Sequence, residues 1–142
     1  MNAKKSRCFF DTNILLYPLQ VEEAAKRERA HALLASTDKG QGVISYQVLQ
    51  EYCNACLRKF TPKPRPEKVY SLLIGLLEQY EVVPWTAPLL PKALEIHYRY
   101  QFAWYDSFIV TAALEAGCET LYTEDLQHGQ KIESMTIINP FV

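Results

Sequence analysis

Five short apolar or β-branched runs, at residues 7–10, 43–45, 81–83, 120–123 and 136–139, punctuate this chain, and the segments between them carry helical period. Each run suits a buried strand. The segments 22–36, 46–60, 66–79, 88–100 and 103–116 are the predicted helices. In the third of these, Pro66 takes a first-turn position and Val69, Leu72, Leu73, Leu76 and Leu77 recur at helical spacing. Gly117 follows the last, where a left-handed residue ends a helix. Strands alternating with helices require a parallel sheet covered on both faces and joined by right-handed crossovers. The expectation is an α/β fold: one three-layer α/β/α domain over residues 1–142 with a parallel five-stranded sheet of order 3-2-1-4-5.

In that order the winding reverses between strands 1 and 4, so a ligand belongs in the crevice outside their carboxyl ends. Asp11, Thr12 and Asn13 follow strand 1, and Thr123, Glu124 and Asp125 follow strand 4. Singly, these are ordinary turn and cap residues. Together they crowd carboxylates that repel one another unless a positive charge lies between them, and a hard divalent cation is the usual occupant. Asp106 opens the helix before strand 4 at the same rim, where helix capping is its other reading. Tyr105, Phe108, Ile109, Ala112 and Ala113 form the expected buried stripe of that helix. Glu51 is different. Val48, Leu49, Tyr52, Cys53, Cys56, Leu57 and Phe60 define the apolar stripe of its helix, and Glu51 projects nearly opposite the centre of that stripe. Spacing alone makes it a surface glutamate within reach of the rim.

With 142 residues, 49% of them hydrophobic, the chain has material for a core, and disorder is excluded as its main state. Fifteen Lys and Arg against sixteen Asp and Glu give a net charge of -1, which excludes nucleic-acid binding through an overall positive field. Any such contact must be local. Arg58, Lys59, Lys63, Arg65 and Lys68 form the densest basic cluster, with Phe60 beside it to stack a base. Lys4, Lys5 and Arg7, or Lys26, Arg27 and Arg29, are rival patches. Behind Lys4 and Lys5 only Cys8, Phe9 and Phe10 precede Asp11, too short a run for an export signal, and no stretch approaches the length of a membrane span. A reduced, cytoplasmic setting is expected, with four free cysteines. Cys53 and Cys56 lie on the apolar stripe of a helix without a second pair, so packing outweighs zinc binding. Residues 39–42 (KGQG) precede a strand and read as a turn, and His128 before Gly129 reads likewise.

Four segments in order, FFDTN at 9–13, VLQE at 48–51, YDSFIVTAA at 105–113 and LYTED at 121–125, resemble the signature of the PIN-domain nucleases. In size and style the chain is similar to the VapC-type toxins of bacterial toxin–antitoxin pairs, which end in a short strand like Ile137-Ile138-Asn139-Pro140-Phe141. The resemblance implies a ribonuclease dependent on Mg2+, with Mn2+ as substitute, leaving 5′-phosphate and 3′-hydroxyl products. It assigns Asp11, Glu51, Asp106 and Asp125 to the metal and catalytic site, with Asn13 and Thr123 as supporting polar neighbours. Glu124 adjoins Asp125, which leaves the choice of fourth acid between them. An antitoxin partner and a homodimer are further implications. Housekeeping RNA processing would use the same chemistry. An aspartyl-phosphate phosphatase is the rival enzyme class, disfavoured because Asn13 stands where a second aspartate is needed, and a non-catalytic binding module is disfavoured by the intact set of acids.

Overall fold

The structure, a computed structural model, describes residues 6–142; Lys4 and Lys5 of the amino-terminal basic patch lie outside the described residues. The elements are β1 (Cys8–Phe10), α1 (Thr12–Leu16), α2 (Ala24–Ala35), β2 (Gly42–Ser45), α3 (Tyr46–Arg58), α4 (Pro66–Gln79), β3 (Glu81–Val83), α5 (Leu89–Tyr100), α6 (Trp104–Glu115), β4 (Thr120–Tyr122), β5 (Lys131–Ile132) and β6 (Met135–Ile138). A 3-10 turn over Tyr17–Leu19 links α1 toward α2. Every residue of β1 and β2 is buried, so both faces of the sheet are covered, which gives the three-layer α/β/α arrangement.

The sheet runs β3-β2-β1-β4-β6-β5. Its first five members are parallel, with Cys8 beside both Gly42 and Thr120, Val43 beside Glu81, and Thr120 beside Thr136. The expected order 3-2-1-4-5 is therefore present, with β6 in fifth place, and the sheet has six strands because β5 adds an antiparallel edge by pairing Lys131 with Thr136. Two residues carry too little pattern to register as a strand. Another element not anticipated is α1. Asp11, Thr12 and Asn13 start a short helix whose Ile14, Leu15 and Leu16 are buried.

Phe10 stacks on Tyr122 and meets the edge of Tyr80, with ring centroids 5.5 and 5.7 Å apart. Tyr80 in turn packs over Gly42, where a Cβ would stand 2.6 Å from its ring. That contact requires glycine at the start of β2. The core joins Phe9, Ile14, Ile44, Val48, Val110, Leu121 and Ile137, all fully enclosed. In α6 the expected stripe is only partly right: Ile109, Ala112 and Ala113 are buried, whereas Tyr105 is exposed. Burial extends instead to Ser107 and Thr111, whose hydroxyls donate to the carbonyls of Ala103 and Ser107 at 3.0 and 2.7 Å. No α4 residue is fully buried, and Leu57 of α3, expected in the core, is exposed. Among the described residues no helix is long and apolar enough to cross a membrane.

Candidate functional site

Parallel pairing of β1 with β4 brings two loops together at the carboxyl end of the sheet. Asp11 leaves β1 in an extended conformation and becomes the residue before α1, its Oδ1 accepting from the Thr12 N–H at 2.8 Å. Its own N–H continues the ladder to Tyr122 O at 3.0 Å. Across the gap, the Thr123 hydroxyl donates to Asp11 Oδ2 at 2.8 Å and accepts from the Asp125 N–H at 3.1 Å. One threonine thus ties the first acid to the loop that bears another.

A third side of the cleft comes from α3, which Ser45 opens by accepting from the Val48 N–H at 3.3 Å. Gln47, Glu51, Asn54, Ala55, Arg58 and Lys59 all line the cleft. Their spacing of four, three, one, three and one traces a single helical face. Glu51 is exposed and lies off the apolar stripe, as its spacing predicted, and its Oε1 accepts from Thr12 Oγ1 of α1 at 3.0 Å. Gln47 and Asn54 were not singled out from sequence. The signal that finds them is the polar stripe flanking the apolar one on α3.

The fourth wall is the first turn of α6. Asp106 sits two residues inside the helix with no capping hydrogen bond at its amino end, so the capping reading fails and the side chain lines the cleft. Gln47 Nε2 donates to Tyr105 O at 3.2 Å, fastening this turn to α3. Asp11, Asn13, Glu51, Asp106 and Asp125 consequently border one cavity of about 280 Å³. Glu124 does not. It points to the other side of its loop, accepting from Tyr17 OH and pairing with Lys26 Nζ at 2.9 Å.

The electrostatics are those of acids short of counter-charge. Burial, with the charges of Asp125 and Glu51 adding to it, pushes Asp11 up to about 6 despite hydrogen bonds from Thr123 and Thr12 that favour the anion. Glu51 is raised by desolvation and by Asp106 and Asp125, Asp106 by desolvation and Asp125, and Asp125 by desolvation and Glu124. An all-oxygen donor set under this mutual repulsion fits a hard divalent cation chemically. Among the described residues no three His, Cys, Asp or Glu side chains form a ready cage. Mg2+ asks for less than a cage, since it keeps much of its water and takes one or two carboxylates directly.

The basic cluster divides. Arg58 and Lys59 reach the cleft, whereas Lys63 and Arg65 border a separate groove with Cys53, Leu57, Pro66, Val69 and Tyr70, and Lys68 lines neither. In the rival patches Arg7 pairs with Glu81, Lys26 with Glu124, and Arg29 Nε donates to Pro140 O at 3.0 Å. All four cysteines are free, and burial raises both Cys53 and Cys56, as packing roles require. His128 lies in a turn and accepts from the Asn139 N–H at 3.0 Å.

No curated protein matches the chain in sequence. Solved structures match in fold. A toxin–antitoxin complex from Klebsiella pneumoniae is similar at 18% identity and a TM-score of 0.70, covering 94% of this chain and 97% of that one. FitAcB from Neisseria gonorrhoeae is similar at 19% identity and 0.68, covering 94% and 98%. VapC20 of Mycobacterium tuberculosis, a sarcin-ricin loop cleaving toxin, is similar at 19% identity and 0.66, covering 83% and 91%. Likeness at such identity speaks for the fold alone. The PIN domain itself matches residues 8–131, which includes every acid of the cleft, and the chain belongs to the PIN-domain family.

Proposed function

We propose that this chain is a Mg2+-dependent endoribonuclease, able to use Mn2+, and the toxin of a bacterial toxin–antitoxin pair acting in the cytoplasm. The observation that carries the reading is the convergence of Asp11, Glu51, Asp106 and Asp125, from four separate elements, on one cleft at the carboxyl end of the sheet. Asp11 and Asp106 would hold the principal cation, Asp125 would bind it directly or through water, and Glu51 would bind it or orient the attacking water. When bound there, a divalent ion would supply charge neutralisation for the scissile phosphate and a lowered pKa for the attacking water. Thr123 and Thr12 keep Asp11 and Glu51 aimed at the cleft through the bonds already described. Asn13 stands at the mouth as a polar neighbour, and Arg58 and Lys59 offer positive charge to the flanking RNA phosphates.

A protein antitoxin is the proposed partner, supported by fold neighbours that are toxin–antitoxin complexes. A homodimer is proposed as well. Leu90, Leu94 and Tyr98 repeat every four residues along α5 and are 47%, 46% and 69% exposed, an apolar stripe suited to self-association.

The test compares wild type with Asp11→Asn, expressed in a growing bacterium and also purified free of partner, with RNA 5′ ends mapped in each case. Growth arrest and new 5′-phosphate ends with wild type alone, abolished in vitro by excess chelator, are expected. Full cleavage by Asp11→Asn, or in chelator, defeats the metal reading; cleavage without arrest moves the chain to housekeeping RNA processing.

A further inference from the structure

Residues 123–126 carry Asp125 into the cleft without belonging to any helix or strand. The loop is held at its start by the Thr123 N–H donating to Ile138 O at 3.1 Å and by the Asp125 N–H donating to Thr123 Oγ1. Further grip comes from Glu124, whose side chain leaves the loop on the side opposite the cleft and is only 16% exposed. A carboxylate so far withdrawn from water stays in place when charged and hydroxyl donors satisfy it. Tyr17 OH donates to Oε1, and Lys26 Nζ donates to Oε2 at 2.9 Å and to the Tyr17 hydroxyl at 3.3 Å. The ammonium also sits against two rings. It lies 5.1 Å from the Tyr17 ring centroid and 5.5 Å from that of Phe141, and those two rings meet edge to face at 5.1 Å. Four parts of the chain, the turn after α1, α2, the β4 loop and the carboxyl-terminal residues, meet at this point.

We propose that Lys26 and Tyr17 are positioning residues that fix the Asp125 carboxylate in the cleft by latching its neighbour Glu124 from behind. The proposal rests on the nuclease reading of the cleft for the importance of Asp125, but the latch itself is a matter of loop order. Asp125 lines the cleft while Glu124, one residue before it, is bonded to Tyr17 and Lys26 away from the cleft, so holding Glu124 pins the backbone from which the Asp125 side chain departs. Lys26 also cancels the charge of Glu124. Without it, an unpaired, largely buried anion would stand beside Asp125 in the same loop. None of these three residues borders the cleft, which separates their role from that of the acids.

The experiment uses the full chain with Lys26→Met, which keeps the stem against the two rings, Lys26→Arg, Tyr17→Phe, Glu124→Gln and the Lys26→Met/Glu124→Gln pair. Hydrogen exchange of individual amides reads loop order, and titration with Mn2+ followed by water-proton relaxation reads the site. Lys26→Met is expected to speed exchange at the Asp125 amide by about tenfold while the Leu121 and Ile137 amides stay protected. The Mn2+ dissociation constant is expected to rise about three- to tenfold, with Lys26→Arg restoring both readouts and the paired variant adding nothing to Lys26→Met. Tyr17→Phe should move both in the same direction by less.

Unchanged exchange at Asp125 overturns the latch, as does equal acceleration across the strands, which would mean general destabilisation. Faster exchange with unaltered Mn2+ affinity overturns the positioning role. Wild type that takes up no Mn2+ counts against the nuclease reading instead, and the exchange data still judge the latch.

Discussion

Replacing Asp11 by Asn removes a charge that the fold holds against its own interest. Asp11 is 8% exposed, and its carboxyl is raised from 3.8 to about 6. For an acid raised on folding, the protonated form favours the native state. The stabilisation is fully present below pH 3.8 and is lost as pH climbs through 6. The gap corresponds to about 3 kcal/mol between the two limits, about half of it lost between pH 5 and 7.5. Asn keeps the acceptor for the Thr12 N–H and offers its amide to Thr123 Oγ1, so the local bonds survive. In chelator, wild type should therefore lose about 1 to 2 kcal/mol more than Asp11→Asn between pH 5 and 7.5, a difference in melting temperature of about 5 °C for a chain of this size. Glu51, Asp106 and Asp125 are raised in both proteins, so the excess pH slope of wild type reports Asp11 together with its coupling to Asp125 and Glu51. Saturating Mg2+ at pH 7.5 should raise the melting temperature of wild type and leave Asp11→Asn nearly unmoved. Calorimetric scans in chelator that give parallel pH slopes for the two proteins would refute this reasoning, since they would mean that Asp11 is not ionising in a desolvated site.

Thr123→Val removes the donor to Asp11 Oδ2 and the acceptor of the Asp125 N–H; a loss of about 1–3 kcal/mol is expected by denaturant unfolding, together with an upward move of the acidic limb of the pH–rate profile. Gly42→Ala puts a Cβ 2.6 Å from the Tyr80 ring and 3.2 Å from the Phe10 ring, and destabilisation of about 1–3 kcal/mol should appear in melting curves. Charge reversal of Arg58 and Lys59 should lower the salt slope of single-stranded RNA binding by about 0.7 for each phosphate no longer neutralised, while reversal at Lys63, Arg65 and Lys68 leaves it unchanged.

How far the fold was legible depends on element size. The β1, β2, β3 and β4 runs are short, but Gly, Pro and charged residues bracket them, and the helices between them left one consistent order. β5 escaped because two residues define no alternation, and α1 because Asp11-Thr12-Asn13 reads as a turn until Ile14, Leu15 and Leu16 find a core to enter. The site was legible as an ordered set of acids. Glu51 shows the limit of periodicity, which gives the angle of a side chain around its helix but not what stands opposite; α1 stands there. The same limit explains Leu57 and Tyr105, apolar at core spacing yet exposed, and the open choice between Glu124 and Asp125, of which Asp125 borders the cleft while Glu124 pairs with Tyr17 and Lys26.

The placement of β1 between β2 and β4 bears on synthesis as well as on shape. Cys8 is paired with Thr120, which emerges from the ribosome only after β2, β3 and the helices between them have been made. Until then the central strand has an unfilled flank, and long-range parallel pairing of this kind is slow to form. A nascent chain that has not reached β4 carries Asp11, Glu51 and Asp106 but has neither Thr123 to orient the first nor Asp125 to complete the set. Translation pauses placed before codon 120 should yield ribosome-bound fragments without a competent acidic centre. The order of the strands thus delays assembly of the acidic cleft until β4 and the loop after it have been made.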